Sequence, residues 1–167
     1  MTDLHAEDAS HPQVRISRAS ADDLPAILDL QHRAYLPEAE RYGDWDIPPL
    51  TQTLDDIRNE FTVAVFLKAQ AGGVLVGSVR GRLIGGRCHV GRLIVEPQHQ
   101  GHGIGSRLLV AIESEFAGAE GFTLFTGAAS DRNIQLYERH GYRVEHSSEQ
   151  SERVTLVHLS KPGARSR

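Results

Sequence analysis

The sequence predicts an α/β fold: a mixed central sheet of about seven strands, antiparallel apart from one parallel pair, flanked by about four helices. Three observations predict it. Apolar, β-rich runs at 61–69, 74–83 and 89–95 follow one another across the tight turns Ala71-Gly72-Gly73 and Ile84-Gly85-Gly86-Arg87, the pattern of an antiparallel meander. The third run passes through a glycine-rich turn into an amphipathic helix and then an apolar strand at 122–126, and a unit of this length closes as a right-handed parallel crossover. Runs 143–150 and 152–159 close the sheet as a final hairpin. The sheet should therefore change from antiparallel to parallel beside strand 89–95, where two strands can part and admit a ligand.

Taken in order, residues 1–12 are rich in Asp, His and Ser and read as a disordered leader; the spacing of His5 and His11 fits no metal-ligand motif. Val14 to Arg18 alternates as a short strand. Ser20 is placed to cap a helix with Asp22 and Asp23 in its first turn, Pro25 tolerated early, and Leu24, Ile27, Leu28 and Leu30 as its apolar face as far as about Tyr35. From Leu36 to Leu50 the periodicity breaks, and Pro37, Gly43, Pro48 and Pro49 punctuate an expected loop. That segment carries Tyr35, Glu38, Glu40, Tyr42, Asp44, Trp45 and Asp46, an acidic and aromatic set suited to holding a cation. Thr53 to Phe61 is a second short helix. Helix 103–117 turns Ile104, Leu108, Leu109, Ile112 and Phe116 inward, and Ser130 to Gly141 is a capped helix ending at a glycine.

Composition sets the outer bounds. At 167 residues, with 40% apolar and 24% charged, the chain is one domain (13–160) with a core that needs no staple, followed by a flexible basic tail (161–167). A net charge of −4 without a basic patch argues against nucleic acid as a partner. The single Cys88 excludes an internal disulfide, and no apolar run reaches membrane-spanning length, so the expectation is a cytoplasmic protein with no membrane partner and no metal.

The stretch with most chemistry is Leu93-Ile94-Val95-Glu96-Pro97-Gln98-His99-Gln100-Gly101-His102-Gly103-Ile104-Gly105-Ser106. Glycines at 101, 103 and 105 remove side chains where backbone N–H groups must come close to something, and the following helix aims its unpaired first-turn N–H groups into the turn. The result is an anion site of the kind used for phosphate. A P-loop is excluded because no lysine lies between Lys68 and Lys161. A dinucleotide fingerprint is disfavoured because Ser106 occupies its third glycine slot.

Gln100-x-x-Gly103-x-Gly105, preceded by Leu-x-Val and Pro97, resembles the acyl-CoA pyrophosphate loop of the GCN5-related N-acetyltransferases. The segment Arg18 to Ile27 looks like the opening of that family. Asn133 ahead of Tyr137, with Gly141 and Tyr142 after three more residues, resembles its second signature, and Asn133 and Tyr137 share one helix face. The resemblance spans Val14 to Leu159. It implies transfer of an acetyl group from acetyl-CoA to a primary amine of a small molecule or peptide, by direct attack in a ternary complex. Alternatives are a protein lysine or N-terminus as acceptor, or a non-catalytic acyl-CoA-binding regulatory domain. It implies that Leu93, Ile94 and Val95 pair with the pantetheine arm, and that Gln100, Gly101, His102, Gly103, Ile104, Gly105, Ser106 and Asn133 complete the cofactor site. His102 stands where members often carry Lys or Arg. Many members dimerise, but no stretch of this chain marks a homodimer interface.

Within that reading Tyr137 is the general acid, also touching the cofactor, since a phenol can protonate a departing thiolate. The base is left among several groups. An alkylamine with pKa near 10.4 loses about 4.6 kcal/mol in freeing its lone pair at pH 7, so a group must take the proton. His89 lies six residues before Val95, on the same face by strand alternation, and some histone-acetylating relatives carry a glutamate base there. Glu96 is its rival, with Glu38 and Glu40 behind. Tyr35, Glu38, Glu40, Tyr42 and Trp45 form the acceptor wall by resemblance, with a lean toward cationic amines.

Overall fold

The computed structural model describes residues 13–164; the expected leader and the last three residues of the tail lie outside the described residues. The chain runs β1 (Val14–Arg18), α1 (Leu24–Tyr42), α2 (Pro48–Thr51), α3 (Leu54–Phe61), β2 (Val65–Ala71), β3 (Val74–Ile84), β4 (Arg87–Val95), α4 (Ile104–Glu115), β5 (Gly121–Gly127), α5 (Asp131–Arg139), β6 (Arg143–Glu149) and β7 (Thr155–Pro162). One seven-stranded sheet is ordered β1-β2-β3-β4-β5-β7-β6. All neighbours are antiparallel except β4 and β5, as the crossover requires. The additional helix, α2, begins on Pro48 and Pro49, whose missing N–H groups cost nothing in a first turn. No helix among the described residues is long and apolar enough to cross a membrane.

Of the boundaries that depart from the sequence reading, two change which residues are held in place. The expected loop from Leu36 is helix as far as Tyr42, with Pro37 inside it and Gly43 closing it at φ 62°. Proline leaves the Arg33 carbonyl without its helical partner, a local cost that packing outweighs. Ala39 is fully buried with Ile47 and Val154, and Tyr35 and Tyr42 pack on that cluster. The expected tail also starts too early, because Lys161 pairs with Phe122 as part of β7. Its ammonium donates to Glu113 at 2.6 Å and to the His140 carbonyl at 2.9 Å, which fixes the strand end against α4 and α5.

The main core lies between α4 and the sheet, with Leu108, Leu109 and Ile112 fully buried. Helix α4 comes close to β3 because Gly81 has no side chain; a Cβ there would stand 2.8 Å from Phe116 and 2.9 Å from Ile112. On the other face, α1 and α3 bury Leu24, Ile27 and Ile57 against Phe66. A buried polar network ties that layer to the sheet. Arg80 on β3, 3% exposed, donates to Glu60 at 2.7 Å and to Gln31 at 2.6 Å, and lies over the Phe66 ring. Gln31 in turn donates to the Pro49 carbonyl and to Gln52. Removing one partner of such a pair strands the other charge, so Glu60→Ala is expected to lower the free energy of unfolding by about 3 kcal/mol. Urea denaturation measures it, and a change below about 0.5 kcal/mol would mean that Gln31 and Gln52 suffice for the cation.

Candidate active site

Strands β4 and β5 pair only through Arg87↔Gly121, Cys88↔Phe122 and His89↔Thr123. Beyond those residues β4 stays with β3 and β5 stays with β7, so a wedge opens between 90–95 and 124–127. A bulge in β4 accompanies the parting. Ser78 pairs with Ile94 and Arg80 with Gly91, which leaves Arg92 and Leu93 opposite Val79 alone. Arg92 takes φ 49°, the only positive φ outside glycine among the described residues.

A groove of about 360 Å³ runs along one side of the wedge. Leu93, Ile94 and Val95 form one wall, the turn contributes Gln100, Gly101, Gly103, Ile104, Gly105 and Ser106, and Asn133 closes the far side. Gly101 and Gly103 have φ of 82° and 80°, a backbone that L side chains seldom adopt. Gly103 stands at the N-cap of α4, so the first-turn N–H groups and the positive end of the dipole face the groove. Gln100 donates its side-chain N–H to the Val95 carbonyl at 3.2 Å, and His140 meets the Ser106 hydroxyl at 3.1 Å, binding α5 to the turn. His102 is exposed and outside the groove lining. The cations come from elsewhere in the chain: Arg41, Arg132 and Arg139 all line the groove. The Arg132 guanidinium reaches Gln100 at 3.4 Å and lies beside Gly101. Sequence reading passed over Arg132, whose place beside Asn133 in the second signature was the available signal.

A second cavity, about 80 Å³, lies under α1 and α2. Tyr35, Glu38, Leu93 and Asn133 line both spaces, so the two meet where β4 and β5 part. The extension of α1 past Pro37 explains the lining: residues 35, 38 and 42 recur at helical spacing and share the inward face. Tyr42 accepts from the Ala129 N–H at 2.9 Å, which closes the loop after β5 onto α1. Tyr137 lines this cavity and is 6% exposed, its ring edge-to-face with Tyr142 at 6.0 Å. Burial pushes the Tyr137 phenol well above its ordinary pKa, with Tyr35 and Glu38 adding to the effect, so the hydroxyl stays protonated. No hydrogen bond to that hydroxyl occurs among the described side chains.

Other expected residues are not brought to the junction. Glu40 and Trp45 are exposed and line neither cavity. Asp44 is committed elsewhere, accepting from the Asp46 N–H of its own loop and from the Ser151 hydroxyl between β6 and β7. Glu96 pairs with Arg33 of α1 at 2.8 Å and lines neither cavity. His89 is exposed, where the strands are still paired. The same-face expectation for His89 and Val95 fails because the bulge reverses the alternation. Cys88 and Val95 both face α4, near Gly81 and Gly105 respectively, so His89 points the opposite way.

Residues 24–142 match the family model described as acetyltransferase (GNAT) family. No curated protein matches the sequence. Among solved structures, the chain is similar to the PaiA N-acetyltransferase of Thermoplasma acidophilum, solved in complex with coenzyme A, at 18% identity and TM-score 0.73, over 90% of this chain and 99% of that one. It is similar to the ribosomal-protein-S18-alanine N-acetyltransferase of Escherichia coli at 18% identity and TM-score 0.74, over 90% and 94%. A phosphinothricin acetyltransferase of Sinorhizobium meliloti, in complex with AcCoA, aligns at 15% identity and TM-score 0.75, over 92% of each chain. At these identities the likeness is one of fold.

Proposed function

The chain belongs to the acetyltransferase (GNAT) family, and on that premise we propose that it moves the acetyl group of acetyl-CoA to a primary amine. The observation that carries this reading is the junction of two cavities at the parted strands, one running to the anion-binding turn and the other holding Tyr137 and Glu38. Acetyl-CoA fits the first groove on this chain's own features. Strand β4 presents main-chain groups at 93–95 that no neighbouring strand takes on the β5 side, the buried Nδ1 of groove residue His99 has no partner, and cations stand beside the turn. Leu93, Ile94 and Val95 would hold the pantetheine arm as an added strand, the turn amides and Arg132 the pyrophosphate. When bound, acetyl-CoA supplies an acetyl group activated as a thioester.

The protein's part is to manage two protons. Tyr137 holds one on its phenol oxygen for the departing sulfur. Glu38, which lines both cavities, takes the one the amine must lose; its carboxylate also accepts from Arg41 at 3.2 Å, which keeps it oriented. The names of the similar structures range from a ribosomal protein's alanine to phosphinothricin as acceptor, so the fold alone does not choose one.

Calorimetric titration with acetyl-CoA, followed by thiol release across an amine panel, tests the reading. Saturable binding with amine-dependent release of CoA is the expected result, and absence of binding would sink it. Binding without release for any amine would favour an acyl-CoA-sensing domain. Glu38→Gln is expected to lower kcat/KM about 100-fold at pH 7. The deficit should shrink as pH rises toward the amine's pKa, because an amine already neutral needs no base. A deficit constant across pH would assign Glu38 to binding alone.

A further inference from the structure

We infer that the acceptor carries an oxyanion of its own, a carboxylate or phosphonate a few bonds from the amine, and that Arg92 binds it. The inference rests on the acetyltransferase reading and names the class of its acceptor. Arg92 lines the inner cavity from the bulge of β4. No carboxylate stands within ion-pair distance of it among the described residues, and its buried Nε has no hydrogen-bond partner. Arg80, the buried arginine near it, differs on the first count, since Glu60 neutralises it at 2.7 Å. A guanidinium presents a planar fork of donors that suits a carboxylate or phosphonate, and a buried N–H left unpaired is costly until such a partner arrives.

The backbone points the same way. At φ 49° an arginine is strained where glycine or asparagine would sit at ease. The side chain therefore stands there for what it contacts. The cavity also has opposite charges in its wall, because Glu38 and Arg92 both line it. An acceptor with an ammonium toward Glu38 and an oxyanion toward Arg92 satisfies both. At about 80 Å³ the space lies far below the few hundred Å³ of a drug-sized pocket, which fits an amino acid or its phosphonate counterpart. The acidic segment that favoured cationic amines contributes only Glu38 to this wall, since Glu40, Asp44 and Asp46 lie outside it.

The test uses matched sets: L-amino acids, the amines left by their decarboxylation, and the corresponding 1-aminoalkylphosphonates, with thiol release as the readout. In the wild type, at least one oxyanion-bearing member is expected to exceed its plain amine by about 10- to 100-fold in kcat/KM, the range of a charge-assisted hydrogen bond. Arg92→Asn, which tolerates the left-handed backbone, should level each set mainly through KM, and Arg92→Lys should recover part of the preference. Preference for the carboxylate alone or for both oxyanions supports the inference and identifies the source. Plain amines used as well as their acids overturn it while leaving the acetyltransferase reading intact. A panel with no acceptor in a protein that binds acetyl-CoA overturns it as well, and favours an acyl-CoA-sensing domain over the acetyltransferase reading. Failure to bind acetyl-CoA in calorimetry would instead remove the reading on which it rests.

Discussion

Tyr137→Phe is expected to lower kcat about 100- to 1,000-fold while leaving acetyl-CoA affinity unchanged. The substitution removes one oxygen and keeps the ring that packs edge-to-face on Tyr142. Since no described side chain hydrogen-bonds that oxygen, its loss should leave the fold intact. What disappears is a proton held in a buried site beside the junction of the two cavities, where burial keeps the phenol protonated. Steady-state thiol release together with calorimetry separates the two quantities. A variant that turns over like the wild type would assign proton delivery to water, and Tyr137 would then be a packing residue only.

Gly103→Glu should weaken acetyl-CoA binding at least 100-fold, about 2.8 kcal/mol at 1.4 kcal/mol per tenfold. Two effects combine. The left-handed backbone at φ 80° strains a glutamate by about 1–2 kcal/mol. The new carboxylate also stands at the N-cap of α4, where the dipole and free N–H groups would otherwise meet the pyrophosphate. A Cβ at Gly103 meets nothing within 4 Å, so the variant has room to fold. Gly103→Asn supplies the control, because asparagine tolerates this backbone and brings no charge. It should retain most of the affinity. Equal losses in both variants would mean that backbone strain, and not charge at the anion site, sets the effect.

The sequence by itself determined the elements whose causes are local. Leu24, Ile27, Leu28 and Leu30 mark the buried face of α1, and Ile104, Leu108, Leu109 and Ile112 that of α4, because a helix repeats every 3.6 residues whatever surrounds it. The tight glycine turns and the crossover after β4 set the neighbours β2-β3-β4-β5 for similar reasons, while the placing of β7 between β5 and β6 is a tertiary outcome. The anion-binding turn was legible too, since glycine spacing and a helix start are both written in consecutive residues. Tertiary structure decided the rest. Packing of Ala39 and Tyr42 on Ile47 and Val154 carried α1 through Pro37, and that alone chose Tyr35, Glu38 and Tyr42 over Glu40 and Trp45. The bulge at Arg92 reversed the alternation of β4, turning His89 away from the face of Val95. Arg33 and Arg132 reached Glu96 and the glycine turn from distant helices, one taking up an expected base and the other supplying a cation that His102 does not. Each of these outcomes depends on groups far apart in the chain meeting in space, and a one-residue change of register or one extra helical turn is enough to exchange which side chains meet.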